Sequence, residues 1–321
     1  MKQAELAPYL SPEARATQLR ELANQGKGEI VEIGQSVLGR PLEILRLPGN
    51  KPELPPVLCT ADIHGLEFIG TQVALGLARN FAEAKDQAGL LREQAELWVM
   101  PSANPDAYAR TWEQAGRGKL AELRCNAHGV DLNRNFPLPH QAKTSWLPGT
   151  GSSKKGKATY RGPKALSEPE SSALDTLMSR YQFTASANLH AFMGTIIPAR
   201  VTDKPSYAHY KDLAKTFAKA QTKTRYRRLA LRHFDVFTGE LEDHQHHVHN
   251  CWAICVEHQS VFASLRQHLR APSPFWRFNP RQPNRWVEND VPGLVAYFLR
   301  ALNLPPPDAL QAAHPNAKIP S

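Results

Sequence analysis

Cysteine is scarce in this chain: four in 321 residues, too few to staple a disulfide scaffold. Cys59, Cys251 and Cys255 lie in apolar, strand-like runs, where a thiol behaves as a small hydrophobe. Cys251 and Cys255 are four positions apart, which is not the C-x-x-C spacing of a zinc ribbon or a redox pair. Core thiols of this kind predict a reducing, cytoplasmic setting. No apolar run approaches the roughly 18 residues that cross a bilayer as a helix. The opening segment MKQAELAPYL has no apolar core of an export signal. Internal repeats and long low-complexity tracts are absent as well. These absences argue against a membrane protein and a repeat array, and predict a soluble globular one.

A hydrophobic share of 41% excludes a disordered chain. The net charge of +9 comes from scattered Lys and Arg, not from a basic stripe, so nucleic acid is not the expected partner. The length suits one large or two ordinary domains. No linker divides it, and a single domain over 1–321 is expected, with an N-terminal helical segment (1–27) and a C-terminal tail (305–321).

Residues 12–25 carry apolar positions at helical spacing. EIVEIGQ and PLEILRL read as strands around a Gly39 turn, and VLCTA (57–61) as a short buried strand. A helix over 66–82, strands at LWVMP, FTASANLH and WAICVE, and a helix over 291–302 complete the pattern. Alternating strands and helices predict an α/β sheet covered on both faces. In S-E-P-E, Ser167 is expected to cap a helix running through Leu177, with Glu170 completing a capping box. The loop over 137–165 contains GSSKKGK, which nearly spells a phosphate-binding loop. Ala158 stands where the magnesium-holding hydroxyl belongs, so a solvated basic loop is expected.

The chemistry-bearing residues sit at element ends. His64 and Glu67 follow VLCTA as H-G-L-E, so that an imidazole and a carboxylate three apart can meet one ion. A later His190 and Glu257 end two further strands. Two His and one Glu leave a fourth zinc position open, the arrangement of a catalytic site, and another Glu can act as general base. Asn-Pro-Asp (104–106) reads as a turn. Asn133 and Arg134 offer amide donors and a planar cationic fork suited to a carboxylate.

The ordered set HGLE, NPDAY, R-C-N-A-H-G-V-D-L-N-R-N-F, a strand-end His and a strand-end Glu resembles the zinc carboxypeptidases of the carboxypeptidase A/B family. The resemblance runs from about Gly34 to Glu257. It implies a single α/β domain with a mixed, mostly parallel eight-stranded sheet flanked by helices. It also implies one Zn2+ per chain on His64, Glu67 and His190. Arg124 would polarise the scissile carbonyl. Asn133 and Arg134 would hold the free C-terminal carboxylate of a peptide substrate. Glu257 would take a proton from the attacking water and pass it to the leaving amine.

Two departures stand out. The family's digestive members carry a mobile Tyr shortly before the catalytic Glu, whereas the segment HFDVFTGELEDHQHHVHN has none. Phe234 and Phe237 offer rings without a hydroxyl. Glu242 falls at or near the position that sets side-chain preference, and an acid there implies a basic or diaminopimelate C-terminal residue. A one-residue indel would place Glu240 or Asp243 there instead, and a solvated or Arg-paired Glu242 is the rival reading. The histidines at 244, 246, 247 and 249 read as a solvent-facing polar loop or strand edge, with a second metal site as the minority reading. The chain is most similar to bacterial murein-peptide amidases, which share the R-x-N-x-x-G-V-D-L-N-R-N-F-P run and the S-E-P-E helix start. The alternative is a zinc-dependent N-acyl amino acid deacylase of the aspartoacylase or succinylglutamate desuccinylase kind, which shares H-x-x-E and a D-L-N-R run.

Overall fold

A computed structural model describes residues 5–139, 142, 150–229 and 238–307. The strands are β1 (Glu29–Gln35), β2 (Pro41–Leu47), β3 (Pro56–Ala61), β4 (Glu96–Met100), β5 (Ala185–Ala191), β6 (Thr195–Pro198), β7 (Arg227–Arg228) and β8 (Trp252–His258). They form one eight-stranded sheet in the order β1-β2-β4-β3-β5-β8-β6-β7. The pairs β4–β3, β3–β5, β5–β8 and β6–β7 are parallel, while β1–β2, β2–β4 and β8–β6 are antiparallel. The expected mixed, mostly parallel sheet is what the chain forms.

Period-two alternation assigns side chains to the two faces. Leu45, Val57, Cys59 and Val99 enter one buried cluster, and Ile44, Leu58, Trp98 and Met100 enter the other. The first face is covered by α1 (Pro12–Gly26), α2 (Phe68–Ala82), α7 (Lys204–Ala220) and α11 (Pro283–Ala301), through residues such as Leu19, Val73, Phe217 and Leu294. The second face meets α6 (Pro169–Arg180) and α8 (Leu241–His247), through Leu174, Leu177 and Leu241. Short helices α3 (Gln87–Gln94), α4 (Pro105–Glu113), α5 (Leu120–Arg124), α9 (Val261–Leu269) and α10 (Phe275–Phe278) fill the connections. Among the described residues, no helix is long and apolar enough to cross a membrane.

The structure corrects several local expectations. Helix α6 starts at Pro169 with Glu168 as its N-cap, so Ser167 lies one residue outside it. The Ser167 hydroxyl donates to Glu168 Oε1 and accepts from Asn135 Nδ2, while Glu170 accepts from the Val37 N–H and from Asn126 Nδ2. Tertiary partners thus claimed the groups a capping box would use. Asn104-Pro105-Asp106 is a helix start rather than a bare turn. Asn104 caps α4 by accepting from the Ala107 N–H, and Asp106 holds the β1–β2 turn through Ser36, the Leu38 N–H and Arg40.

Helix α11 begins eight residues before the expected 291. In its polar first half Asn289 and Asp290 are buried, because Gln221, Tyr226 and His258 bond to Asp290 and Asn289 receives the Lys223 and Thr224 N–H groups. Helix α7 was not expected, although Tyr210, Leu213, Ala214 and Phe217 are its buried positions at helical spacing. The basic loop behaves as expected: Lys154, Lys155 and Lys157 are exposed.

All four cysteines are unpaired and buried, and burial pushes the Cys59, Cys251 and Cys255 thiols up. The native protein should therefore resist a chromogenic disulfide reagent, and all four thiols should react once guanidinium unfolds it. A thiol that reacts rapidly in the native state would contradict this packing.

Candidate metal centre and active site

The centre forms where three strand ends meet. His64 lies between β3 and α2, Glu67 immediately precedes α2, and His190 is near the end of β5. Glycine makes the H-G-L-E turn possible, since a Cβ on Gly65 would stand 2.2 Å from Ala107 Cβ of α4. The turn is then clamped from a distant segment. Asn279 accepts from the Ile69 N–H and donates to the Leu66 and Phe275 carbonyls. Asn104 Nδ2 donates to the Ile63 and Arg124 carbonyls.

His64 Nδ1 lies 2.9 Å from Glu67 Oε1, His190 Nδ1 lies 3.0 Å from Glu67 Oε2, and the two Nδ1 atoms are 3.1 Å apart. All three side chains are buried. Two imidazole nitrogens aimed at each other beside one carboxylate make a donor set that fits zinc. Burial pushes the Glu67 carboxyl up, but His64 and His190 more than reverse this and hold it well below the ordinary range. Burial holds His190 below the usual imidazole value, which favours the neutral form a metal needs.

Asp131 ties this centre to its surroundings. Its Oδ1 lies 3.1 Å from His64 Nε2 and accepts from the Asn133 N–H, and its Oδ2 accepts from Arg124 Nε and Nη2 at 3.0 and 2.9 Å. A carboxylate behind a metal-facing imidazole fixes its tautomer and raises its basicity. Burial opposes ionisation of Asp131, yet Arg124 and His64 keep it charged. Arg124 Nη1 is 3.7 Å from Glu67 Oε1, so this end of the guanidinium faces the centre.

Glu257 pairs in register with His190 across β5 and β8. Its Oε2 is buried without a hydrogen-bond partner among the described residues. Burial and the nearby Glu67 push its carboxyl up to about 8, against the pull of Arg124. That is the property of a base poised near neutral pH.

Asn133 and Arg134 lie on a short 3-10 turn. Asn133 Oδ1 accepts from the Leu241 N–H at the start of α8. Arg134 Nη1 lies 3.1 Å from Glu240 Oε1, so the guanidinium is paired with an internal acid. Arg134 also borders a cleft of about 140 Å³ lined by Arg161, Lys164 and Thr238. Arg161 Nε is buried without a partner among the described residues.

Glu242 is buried on the first turn of α8, with Asn188 Nδ2 3.5 Å from its Oε2. Asn188 is two residues before His190 on β5 and hence on the same face of the sheet. Of the two alternatives, Glu240 contacts Arg134 and Arg200, and Asp243 accepts from the Arg200 N–H. Phe234 and Phe237 lie outside the described residues.

The structure thus brings His64, Glu67, His190, Arg124 and Glu257 into one centre, places Asn133 and Arg134 beside it, and sets Glu242 against Asn188 on the same face of β5. Sequence reasoning passed over Asp131, which stood in the quoted G-V-D-L-N-R run, and Asn279, for which no local signal exists.

Two histidines, a glutamate and a further strand-end carboxylate at the rim of an α/β sheet make up a metallohydrolase-type centre. The chain belongs to the zinc carboxypeptidase family, whose model matches residues 17–262. It is 32% identical over 199 residues to the human carboxypeptidase N catalytic chain, covering 57% of this chain and 41% of that one. Human carboxypeptidase D is 24% identical over 320 residues, which is 88% of this chain and 21% of that one. The chain therefore spans well under half the length of these curated relatives. Among solved structures, thrombin activatable fibrinolysis inhibitor superposes with a TM-score of 0.74 at 18% identity, covering 92% of this chain and 75% of that one. A metallo-carboxypeptidase from Burkholderia cenocepacia gives 0.63 at 16% identity, with coverages of 91% and 69%. At these identities the superpositions establish a shared fold.

Replacing Asp131 with Asn should weaken zinc binding by about 10–100-fold, read by competition with a chromogenic chelator. Unchanged affinity would mean that His64 is oriented by packing alone.

Proposed function

We propose that this chain is a zinc-dependent carboxypeptidase that hydrolyses the C-terminal peptide bond of a peptide. The observation that carries the reading is the meeting of the His64–Glu67–His190 donor set with the unpartnered Glu257 oxygen and the Arg134 guanidinium. Zinc held by the three donors supplies Lewis acidity toward the substrate carbonyl and toward water. Glu257 accepts a proton on Oε2 and returns it to the departing amine, a transfer its raised pKa suits. Arg124, anchored on Asp131, presents Nη1 to charge that develops on the carbonyl oxygen. Asn133 and Arg134 bind the terminal carboxylate, which takes over the place of Glu240 on Arg134.

The preferred C-terminal residue is basic or diaminopimelate, as in the hydrolysis carried out by murein-peptide amidases. Burial first, then Glu240 and Asp243, push the Glu242 carboxyl well above its ordinary range. A substrate ammonium beside it would restore its charge and gain a buried ion pair. Diaminopimelate adds a carboxylate next to its distal amine, and Arg161 and Lys164 in the cleft beside Arg134 are cations that suit it.

The test is release of the terminal residue from peptides ending in Lys, Arg, diaminopimelate, Phe, Glu or Asp, with acyl-amino acids alongside. Chelation should abolish release, and Glu257→Gln should lower kcat by about 10²–10⁴-fold while the protein still binds zinc. Glu242→Gln should cut the preference for basic or diaminopimelate ends by about 10–100-fold, the scale of a charge-assisted bond. Release of aromatic or acidic residues only would overturn the pocket assignment and leave the peptidase. Turnover of acyl-amino acids alone would replace the peptidase with the deacylase.

A further inference from the structure

The histidine cluster does not face solvent as a polar loop. It lies on α8 and the turn after it, and the 3.6-residue period sends its members in different directions. His246 Nδ1 meets the Tyr210 hydroxyl, and His247 Nε2 lies against the Arg200 carbonyl. His244 and His249 converge instead on Asp175 of α6.

We infer that Asp175, His244 and His249 form a second metal site, separate from the catalytic centre, that takes zinc or a similar borderline divalent cation. His244 Nε2 is 2.6 Å from Asp175 Oδ1, His249 Nε2 is 3.0 Å from the same oxygen, and the two Nε2 atoms are 3.3 Å apart. The catalytic donors provide an internal standard, with corresponding separations of 2.9, 3.0 and 3.1 Å. Both sets hold two imidazole nitrogens beside one carboxylate, which offers both oxygens in the catalytic set and Oδ1 alone at Asp175. Both approach the spacing of about 3.3 Å between ligands on one face of a tetrahedral zinc site.

The burial of His244 points the same way. Its Nδ1 is buried without a partner among the described residues. A cation would use the lone pairs of both rings and of the carboxylate at once. The Asp175 side chain is 28% exposed, against 2% for His244, which leaves a side open for entry and for a water as fourth ligand.

The site's position suggests its use. It joins α6 to the corner where α8 turns into β8, and Cys251 follows His249 by two residues on the way to that strand. The start of α8 holds Glu242 and bonds to Asn133, and β8 carries Glu257. The Phe136 ring packs 5.4 Å from His244, centroid to centroid. An ion here would pin the substrate-side wall on α8 to α6 without touching the reacting atoms.

The experiment is a metal count on the full chain, stripped with chelator and titrated with Zn2+ alone, with affinities from chelator competition. The wild type should take two equivalents per chain, the second submicromolar. His190→Ala should lose the catalytic equivalent and keep the other, so the result does not depend on the proposed peptidase activity. His249→Gln and the isosteric Asp175→Asn should each lose the second equivalent. Both should melt with the wild type when all are chelated, and neither should gain the rise in Tm that the second equivalent gives the wild type. One equivalent in the wild type, two in both variants, or a second equivalent weaker than micromolar would each overturn the site and leave a hydrogen-bonded His–Asp–His cluster.

Discussion

The Asp131 carboxylate is the point on which the active-site arrangement hangs. It accepts from Arg124 twice, meets His64 Nε2 and receives the Asn133 N–H, all while fully buried. Buried charges are tolerated only when paired and hydrogen-bonded. Asp131 meets that condition through groups from three places: the loop after β3, the end of α5, and its own 3-10 turn. Removing it would leave Arg124 unbalanced beside an imidazole and would free the turn that carries Asn133 and Arg134. One side chain therefore holds the His64 ring, the Arg124 guanidinium and the turn that carries Asn133 and Arg134.

Around that hub the site keeps some of its charge deliberately unpaired. Arg124 is engaged by Asp131 through Nε and Nη2, and Arg134 is held by Glu240, but Glu257 Oε2 has no partner among the described residues. Glu67 raises Glu257 and Arg124 lowers it, so the general base is tuned by the same groups that form the centre. The sheet makes this possible. Parallel pairing of β5 with β8 sets His190 opposite Glu257, and a shift of one residue would turn either side chain to the other face. The sites on α8 follow from the same scaffold, since its first turn carries Glu242 toward Asn188 and its last turn carries His244 toward Asp175.

Legibility followed the range of the interactions involved. The limits of β1 and β2 agree with the runs EIVEIGQ and PLEILRL, because alternation and the Gly39 turn are local properties. The metal-donor set and the nearby Glu257 were legible because His64, Glu67, His190 and Glu257 all sit at ends of elements whose apolar patterns are strong. Ser167 misled because a capping box is a local rule, and Asn135 and Asn126 offered its groups better partners from afar. Helix α8 was misread because His at alternate positions imitates a strand edge, whereas burial against Asp175 and Tyr210 favours a helix. The polar half of α11 was missed because the groups that bury Asn289 and Asp290 come from residues more than thirty positions away.

The sequence by itself determined the alternation of strands and helices, the positions of His64, Glu67 and His190 at element ends, and the presence of Arg134 in the same motif run as Asp131. These depend on residue type, short spacing and the period of the backbone. The tertiary structure alone decided that Asp131 would join those donors, that Asn279 would clamp the H-G-L-E turn, and that Asp175 would meet His244 and His249. Each of those meetings closes a loop of tens to hundreds of residues. Their energy comes from satisfying buried polar groups once the sheet has placed them, and no local pattern records which partner will be there.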